Sequence, residues 1–332
     1  ATKPDKMAPA TFDKLRNQAR MQWKQRTGGT VSYELTENAA HVLALLPEPS
    51  AGDLFFDLEG DALYTENDPS KAGLEYLWGL VDTAEAFTPI WAHSATEEQT
   101  ALERFIDLVQ ERRKRHPDLH VYHYAPYETT ALKRLVVKYQ SRENELDDLL
   151  RSGVFVDLYS TVKGAIRVSQ ASYSIKKLEP LYMGDQLRDS DVADGAGSIV
   201  AYHSFQVDRE SQPAIAEQAL NAIADYNEYD CLSTLRLRER AVDAGVREES
   251  HPREIALEGV DVDPFEPNPL FEQLMSKSGP EISAERTAAE QAYAMLASSL
   301  DYYRREQKQF WWGHFDRLNH PVNDWPDTRD IF

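Results

Sequence analysis

The chain has 332 residues, 42% of them hydrophobic and 28% charged, a composition that excludes a mainly disordered protein and supplies a full core. At roughly 150 residues per domain it is long enough for about two domains. Fifty-six acidic against 36 basic residues give a formal charge of −20, which excludes a protein that coats nucleic acid non-specifically. It leaves open an enzyme that grips nucleic acid locally and uses carboxylates to hold metal ions.

The sequence opens at Ala1 with no signal-type or transit-type segment, and is expected to be part of a longer chain. Residues 11–26 predict a peripheral helix, with Leu15, Ala19 and Trp23 at four-residue spacing. The longest apolar run, 41–46, is far short of the ~20 residues of a membrane span, so no membrane association is expected. The Pro- and Gly-punctuated stretch after it reads as a linker. LFFDLEGD, from Leu54, predicts a short buried strand. LEYLWGLVD (74–82) and FTPIWAH (87–93) predict two more, joined closely enough for an antiparallel meander.

Residues 96–116 switch to helical spacing, with Leu102, Phe105, Ile106 and Val109 on one face. HVYHYA (120–125) reads as a strand, 127–139 as a helix, VFVDLY (154–159) as a strand, and YSIKKLEPLY begins a further helix. Residues 213–242 form the longest helical pattern. This succession predicts a mixed α/β layered fold. Cys231, the one cysteine, excludes an internal disulfide and a Cys-rich zinc site, and points to a reducing, cytoplasmic setting. Beyond 245 come Pro-rich DVDPFEPNPL and one or two helices over 281–318. There Trp311-Trp312 with Arg304-Arg305 offer base stacking or, with Phe310, an exposed surface that docks a neighbouring domain.

Three places could carry chemistry. Asp57 and Glu59 share one face of an otherwise apolar strand, since strand side chains alternate. Two such carboxylates are costly to bury unless paired or bound to a cation, and hard oxygen ligands suit Mg²⁺ or Mn²⁺. An isolated Asp-x-Glu is as readily a strand end with solvated acids. Glu128 falls at a strand-to-helix junction, a common place for functional groups, where an acid is also favoured by the helix dipole alone. In Tyr226-Asn227-Glu228-Tyr229-Asp230, Tyr226 and Asp230 share a helix face. Asp225 and Tyr229 repeat the spacing on a neighbouring face, so the pattern leaves both pairs open. Among the basic residues, 112–115 read as a solvated helix end. Lys133, Arg134, Lys138, Lys163 and Arg167 are further candidates for phosphate contact, and Lys176 and Lys177, after a Ser/Tyr-rich turn, are stronger ones.

Taken together, these segments resemble the DEDD-type 3′–5′ exonucleases of the ribonuclease H superfamily, in the tyrosine variant. LFFDLEGD, VYHYAPYE, VFVDLYS, YSIKKLEPLY and YNEYDCLSTL also follow the order found in ribonuclease H-like domains of bacterial RecB-like nuclease–helicase fusions. The resemblance is strong over about 48–245. It implies a central mixed five-stranded sheet with helices on both faces, and helical flanking segments. It implies Asp57, Glu59, Glu128 and Asp230 as ligands of two Mg²⁺ or Mn²⁺ ions, and Tyr226 as the residue that orients the attacking water. Two positions depart from the general pattern: Glu128 stands where most such enzymes carry Asp, and Tyr229 where a further acid is expected.

The implied organisation is a flanking segment over 1–50, the tail of a RecB-like region; an exonuclease domain over 51–245; and a Pro-rich linker with helices over 246–332 leading to a helicase. The expected activity is metal-dependent 3′–5′ cleavage of single-stranded DNA. The alternative is a degenerate nuclease fold serving as a binding or spacer module.

Overall fold

The computed structural model describes residues 6–65, 73–185, 195–245, 269–280, 286–300 and 312. The chain opens with α1 (Pro9–Gly28), β1 (Tyr33–Leu35) and α2 (Ala39–Leu43). The predicted helix is present, but Leu15 and Trp23 are exposed and Met21 is the buried anchor. Polar contacts hold α1 as well: the Gln18 amide donates to the carbonyl of Val168 at 2.9 Å. A single four-residue ladder misjudged which face is turned inward. β1 pairs antiparallel with β7 (Ile166–Val168), and Ala39 and Leu43 of α2 pack on Ala165.

Next come β2 (Leu54–Asp61), β3 (Leu74–Asp82) and β4 (Phe87–Trp91), the expected meander, then α3 (Ala95–Arg115), β5 (Val121–His123), α4 (Tyr127–Tyr139) and β6 (Phe155–Asp157). They build one five-stranded sheet in the order β4-β3-β2-β5-β6. β2 pairs antiparallel with β3 and parallel with β5, so the sheet is mixed and β2 is its central strand.

The alternation of β2 decides what lies on each face. Phe56 stacks on Phe105 of α3 at 4.3 Å between ring centroids, with Trp78 of β3 tilted against the same ring. Leu102, Phe105, Ile106 and Val109 are all fully buried, and each large side chain of this layer is worth about 1.5–3 kcal/mol of burial. Phe55 turns the other way and joins a cluster with Val81, Tyr122, Leu178 and Leu235. Leu235 belongs to α9 (Pro213–Gly245), which crosses that opposite face. Helices therefore cover both sides of the sheet.

Local chemistry sets the ends of these elements. The Ser94 hydroxyl accepts from the Glu97 amide at the start of α3, which opens with Glu97 and Glu98 and closes with residues 112–115, each charge matched to the helix dipole. The strand expected over 154–159 is shorter than its apolar content suggests. Asp157 Oδ1 accepts from the Tyr159 amide at 2.8 Å and starts α6 (Leu158–Ala165), so Leu158 and Tyr159 are helical.

Sequence periodicity did not reveal α5 (Glu143–Arg151), β1, β7 or α8 (Gly195–Asp208). Between α6 and α8, α7 (Ile175–Leu178) is the short helix that YSIKKLEPLY begins. Ala1–Arg253 form one compact unit and Glu254–Phe332 a second, which contains α10 (Pro269–Met275) and α11 (Ala288–Leu300). Arg304, Arg305, Phe310 and Trp311 lie outside the described residues, while Trp312, expected in an exposed aromatic run, is buried. No helix among the described residues is long and apolar enough to cross a membrane.

Candidate metal centre

The central strand and the long helix meet at three carboxylates. Asp57, Glu59 and Asp230 each offer an oxygen, and these atoms all lie within 4.8 Å of one another. Asp57 and Glu59 point to the α9 side of β2, as the period of two requires. Asp230 comes from α9 and is buried, as is Tyr226 one turn before it, whereas Asp225 is exposed. The tertiary packing therefore turns the Tyr226/Asp230 face inward, of the two faces the helical spacing left open.

α9 approaches the strand closely because Gly79 lies opposite Asp57 in the β2–β3 register. A Cβ on Gly79 would fall 1.5 Å from Asn227 Oδ1, so no other residue fits there without displacing the Asn227 side chain. Asn227, fully buried, donates through Nδ2 to Asp57 Oδ2 at 2.8 Å and to the Asp57 carbonyl at 3.3 Å. Ser198 of α8 hydrogen-bonds Glu59, and its hydroxyl lies 2.7 Å from that of Tyr76. Sequence reasoning missed both supporting residues. Asn227 lies inside YNEYD, where spacing alone gives it no role, and Ser198 stands in a Gly- and Ser-containing helix with no visible motif.

Electrostatically the cluster is under tension. Burial pushes Glu59 up to about 8; the Ser198 hydrogen bond and Lys176 oppose this, and the nearby charges of Asp230 and Glu75 add to it. Cys231, on the same helix as Asp230, has its thiol raised by burial and further by Asp57, Asp230 and Glu128. A group of acids brought this close and this deep is relieved by a cation. The donor set is all oxygen, the choice of a hard divalent ion such as Mg²⁺ or Mn²⁺.

Glu128 lies in the first turn of α4, buried, and is not one of the three clustered carboxylates. Its Oε2 is buried without a hydrogen bond and stands 3.4 Å from His123 Nδ1, which donates instead to the Ala125 carbonyl at 2.8 Å. Burial raises Glu128 despite His123. Burial opposes charge on His123, but Glu128 outweighs it and raises that group as well. Ala125 between them has φ of 73°, the left-handed region, and its amide donates to Asp157 Oδ1 at 2.8 Å. A non-glycine residue held there is locally strained, and here the strain belongs to the turn that aims Glu128 inward.

Of the two lysines, Lys177 is exposed, while Lys176 is half-buried and donates to the Tyr226 hydroxyl at 2.7 Å. Four of the other basic candidates engage the protein itself: Arg112 bonds the Gly52 carbonyl, Arg113 pairs with Asp148, Arg134 with Glu75 and Lys138 with Glu98. Past Glu59, where β2 ends, a cleft of about 580 Å³ is lined by Asp61, Tyr64, His93, Tyr202 and Arg209, among others.

No curated protein and no solved structure matches the chain. The family model RNase_H_2, of the RNase_H superfamily, matches residues 54–242, more than half of the chain and the whole span from β2 nearly to the end of α9. The carboxylates converge inside that span, on a mixed five-stranded sheet with helices on both faces, and the chain accordingly belongs to the RNase_H_2 family of the RNase H superfamily.

Proposed function

We propose that the chain is a metal-dependent 3′–5′ exonuclease of the tyrosine-bearing DEDD type, hydrolysing phosphodiester bonds of single-stranded DNA. The observation that carries this reading is the meeting of Asp57, Glu59 and Asp230 within 4.8 Å, with Tyr226 one helical turn before Asp230. Asp57, Glu59 and Asp230 would hold Mg²⁺ or Mn²⁺, and Glu128 would join them through the oxygen that has no hydrogen bond. Two ions bound there would supply positive charge to the scissile phosphate and lower the pKa of the attacking water.

The remaining work falls to the chain's own side chains. Asn227 keeps the Asp57 carboxylate at a fixed angle, and Ser198 does the same for Glu59. The Tyr226 hydroxyl, from the residue one helical turn before Asp230, orients the water that attacks phosphorus. Lys177 offers an exposed phosphate contact. Half-buried Tyr64 and His93 in the lining of the cleft past Glu59 would give an unstacked base a ring to meet, which favours a single strand over a duplex.

By the resemblance of the same motifs, residues 1–50 would be the tail of a RecB-like region and 246–332 the approach to a helicase, in a cytoplasmic nuclease–helicase protein. The test is digestion of end-labelled single- and double-stranded DNA and RNA with Mn²⁺, with Asp57→Asn as control. Shortening of single-stranded DNA from its 3′ end by the wild type alone is the expected result. Cleavage of RNA only would move the substrate class, and no cleavage of any strand would overturn the proposal.

A second reading, a spacer or binding module on a nuclease fold, draws on the net charge of −20 and on Glu128 lying against His123 rather than among the other three acids. Calorimetric titration separates the two readings: an enzyme takes up two Mn²⁺ ions at this site, a spacer none.

A further inference from the structure

The centre contains a cation of its own. Lys176 Nζ is 2.7 Å from the Tyr226 hydroxyl oxygen and 4.9 Å from the centre of the same ring, and it lies near enough to Glu59 to hold down that group's pKa. The lysine comes from α7, a helix of four residues that is pinned on both sides. Before it, the Tyr124 hydroxyl donates to the Tyr173 carbonyl. After it, Leu178 enters the core beside Leu235, Glu179 is buried and accepts from the Ser233 hydroxyl, and the Tyr182 hydroxyl lies 2.8 Å from the same Ser233 oxygen. Ser233 and Leu235 are on α9, three and five residues past Asp230. The ammonium is thus carried on a short piece fastened to the very helix that supplies Tyr226 and Asp230.

We infer that Lys176 is the positioning residue of Tyr226 in the proposed hydrolysis, setting the direction in which the phenol presents its proton. An ammonium donates hydrogen bonds and never accepts them, so in this pair the phenol oxygen is the acceptor. The hydrogen of Tyr226 must then point away from Lys176. The phenol consequently meets a water oxygen as a donor of fixed orientation, which leaves a lone pair of that water for phosphorus. In the step itself the water oxygen bonds to phosphorus and gives one proton to a carboxylate, while the bond from phosphorus to the 3′ oxygen breaks with its electron pair left on that oxygen, which takes a proton from solvent to become the 3′ hydroxyl of the shortened strand. Lys176 and Tyr226 neither gain nor lose a proton.

The inference rests on the nuclease reading and deepens it. Its test compares wild type, Lys176→Met, Lys176→Arg, Tyr226→Phe and the Lys176→Met/Tyr226→Phe double variant, all as the full chain. The readouts are kcat and KM on labelled single-stranded DNA with Mn²⁺, Mn²⁺ binding by calorimetry, and melting temperature. Lys176→Met is expected to lower kcat about ten- to a hundredfold, the scale of one charge-assisted hydrogen bond, with KM within about threefold of wild type. Lys176→Arg should recover part of the loss, and Mn²⁺ affinity should not weaken in either variant. Because the lysine acts through the phenol, the double variant should be no slower than Tyr226→Phe alone.

Losses that multiply in the double variant, or a raised KM with kcat intact, would overturn the inference and make Lys176 a direct phosphate contact. Weakened Mn²⁺ binding would overturn it in favour of a role in shaping the metal site. If Lys176→Met does not fold, Lys176→Arg against Tyr226→Phe carries the same comparison. A wild type that cuts no strand sinks the nuclease reading and the inference with it. A wild type that cuts, beside an unimpaired Lys176→Met, sinks the inference alone.

Discussion

The buried acids of this protein are held in two different ways, those just before β2 and on α3 in one, those where β2 meets α9 in the other. Asp53, just before β2, is fully buried and is answered by the Arg238 guanidinium and by the amides of Ser50 and His120. Glu98 of α3, equally buried, takes the Lys138 ammonium, the Tyr139 hydroxyl and the Glu75 amide. A few residues on, along β2, Asp57 and Glu59 meet Asp230; the Asn227 amide donates to Asp57, the Ser198 hydroxyl bonds Glu59, and Lys176, which donates to Tyr226, lies near Glu59. Where each acid has a dedicated cation partner, the charge serves architecture. Where three acids share one small volume, with neutral donors on two of them, an external cation would relieve the crowding.

The sharpest way to break that contrast is to remove one carboxylate from the central group. Asp57→Asn and Asp230→Asn are each expected to lower Mn²⁺-dependent cleavage by about 10³-fold or more, while exposed Asp225→Asn stays near wild type. In the absence of metal, melting of Asp57→Asn should equal or exceed that of wild type, because the substitution relieves repulsion. A dead Asp225→Asn would place the catalytic face of α9 elsewhere. The same operation on the architectural side should do the reverse. Arg238→Met leaves Asp53 buried without its cation and should cost about 3–5 kcal/mol of stability in denaturant unfolding, with metal affinity of the folded fraction intact.

The neutral braces should show intermediate effects. Asn227→Ala removes the donor to Asp57 and is expected to cost about 1–3 kcal/mol of stability together with roughly tenfold in cleavage rate. Unchanged turnover would show that Asp57 is held by other contacts.

The pH response sharpens the contrast further. Folded Glu59 keeps its proton to about pH 8, while the unfolded chain loses it near 4.5, so the folded state binds more protons between those values. Stability from this group is therefore full below about 4.5 and lost as the pH rises through about 8. Metal-free protein should melt at a lower temperature at pH 8 than at pH 5, and Glu59→Gln should flatten the difference. Mn²⁺ binding should release protons and tighten as the pH rises toward 8.

The smallest effect belongs to the turn before α4: Ala125→Gly, at a φ of 73°, should change stability by no more than about 1 kcal/mol and in the favourable direction.

Much of this protein was legible before folding was considered. The period of two placed Asp57 and Glu59 on one face of a strand, the period of 3.6 placed the buried face of α3, and the order of the motifs matched the superfamily that the family model identifies. These are local properties, set by backbone geometry within a few residues. Other features depend on what a segment meets. Leu15 and Trp23 of α1 look inward on spacing, yet they are exposed while Met21 and Gln18 make the contacts. Leu158 and Tyr159 are apolar enough for a strand, yet Asp157 bonds its own downstream amide and starts a helix.

The candidate site divides along the same line. The sequence by itself determined which acids could be ligands, because alternation along β2 and the four-residue step along α9 are properties of single elements. Only the tertiary structure decided that Tyr226 and Asp230, rather than Tyr229 and Asp225, face β2, that Asn227 fits against Gly79, that Ser198 supports Glu59, and that Lys176 sits on the Tyr226 hydroxyl. Each of these joins residues far apart in the chain, and their meeting follows from how closely α9 can pack on the sheet, a distance that no local pattern encodes.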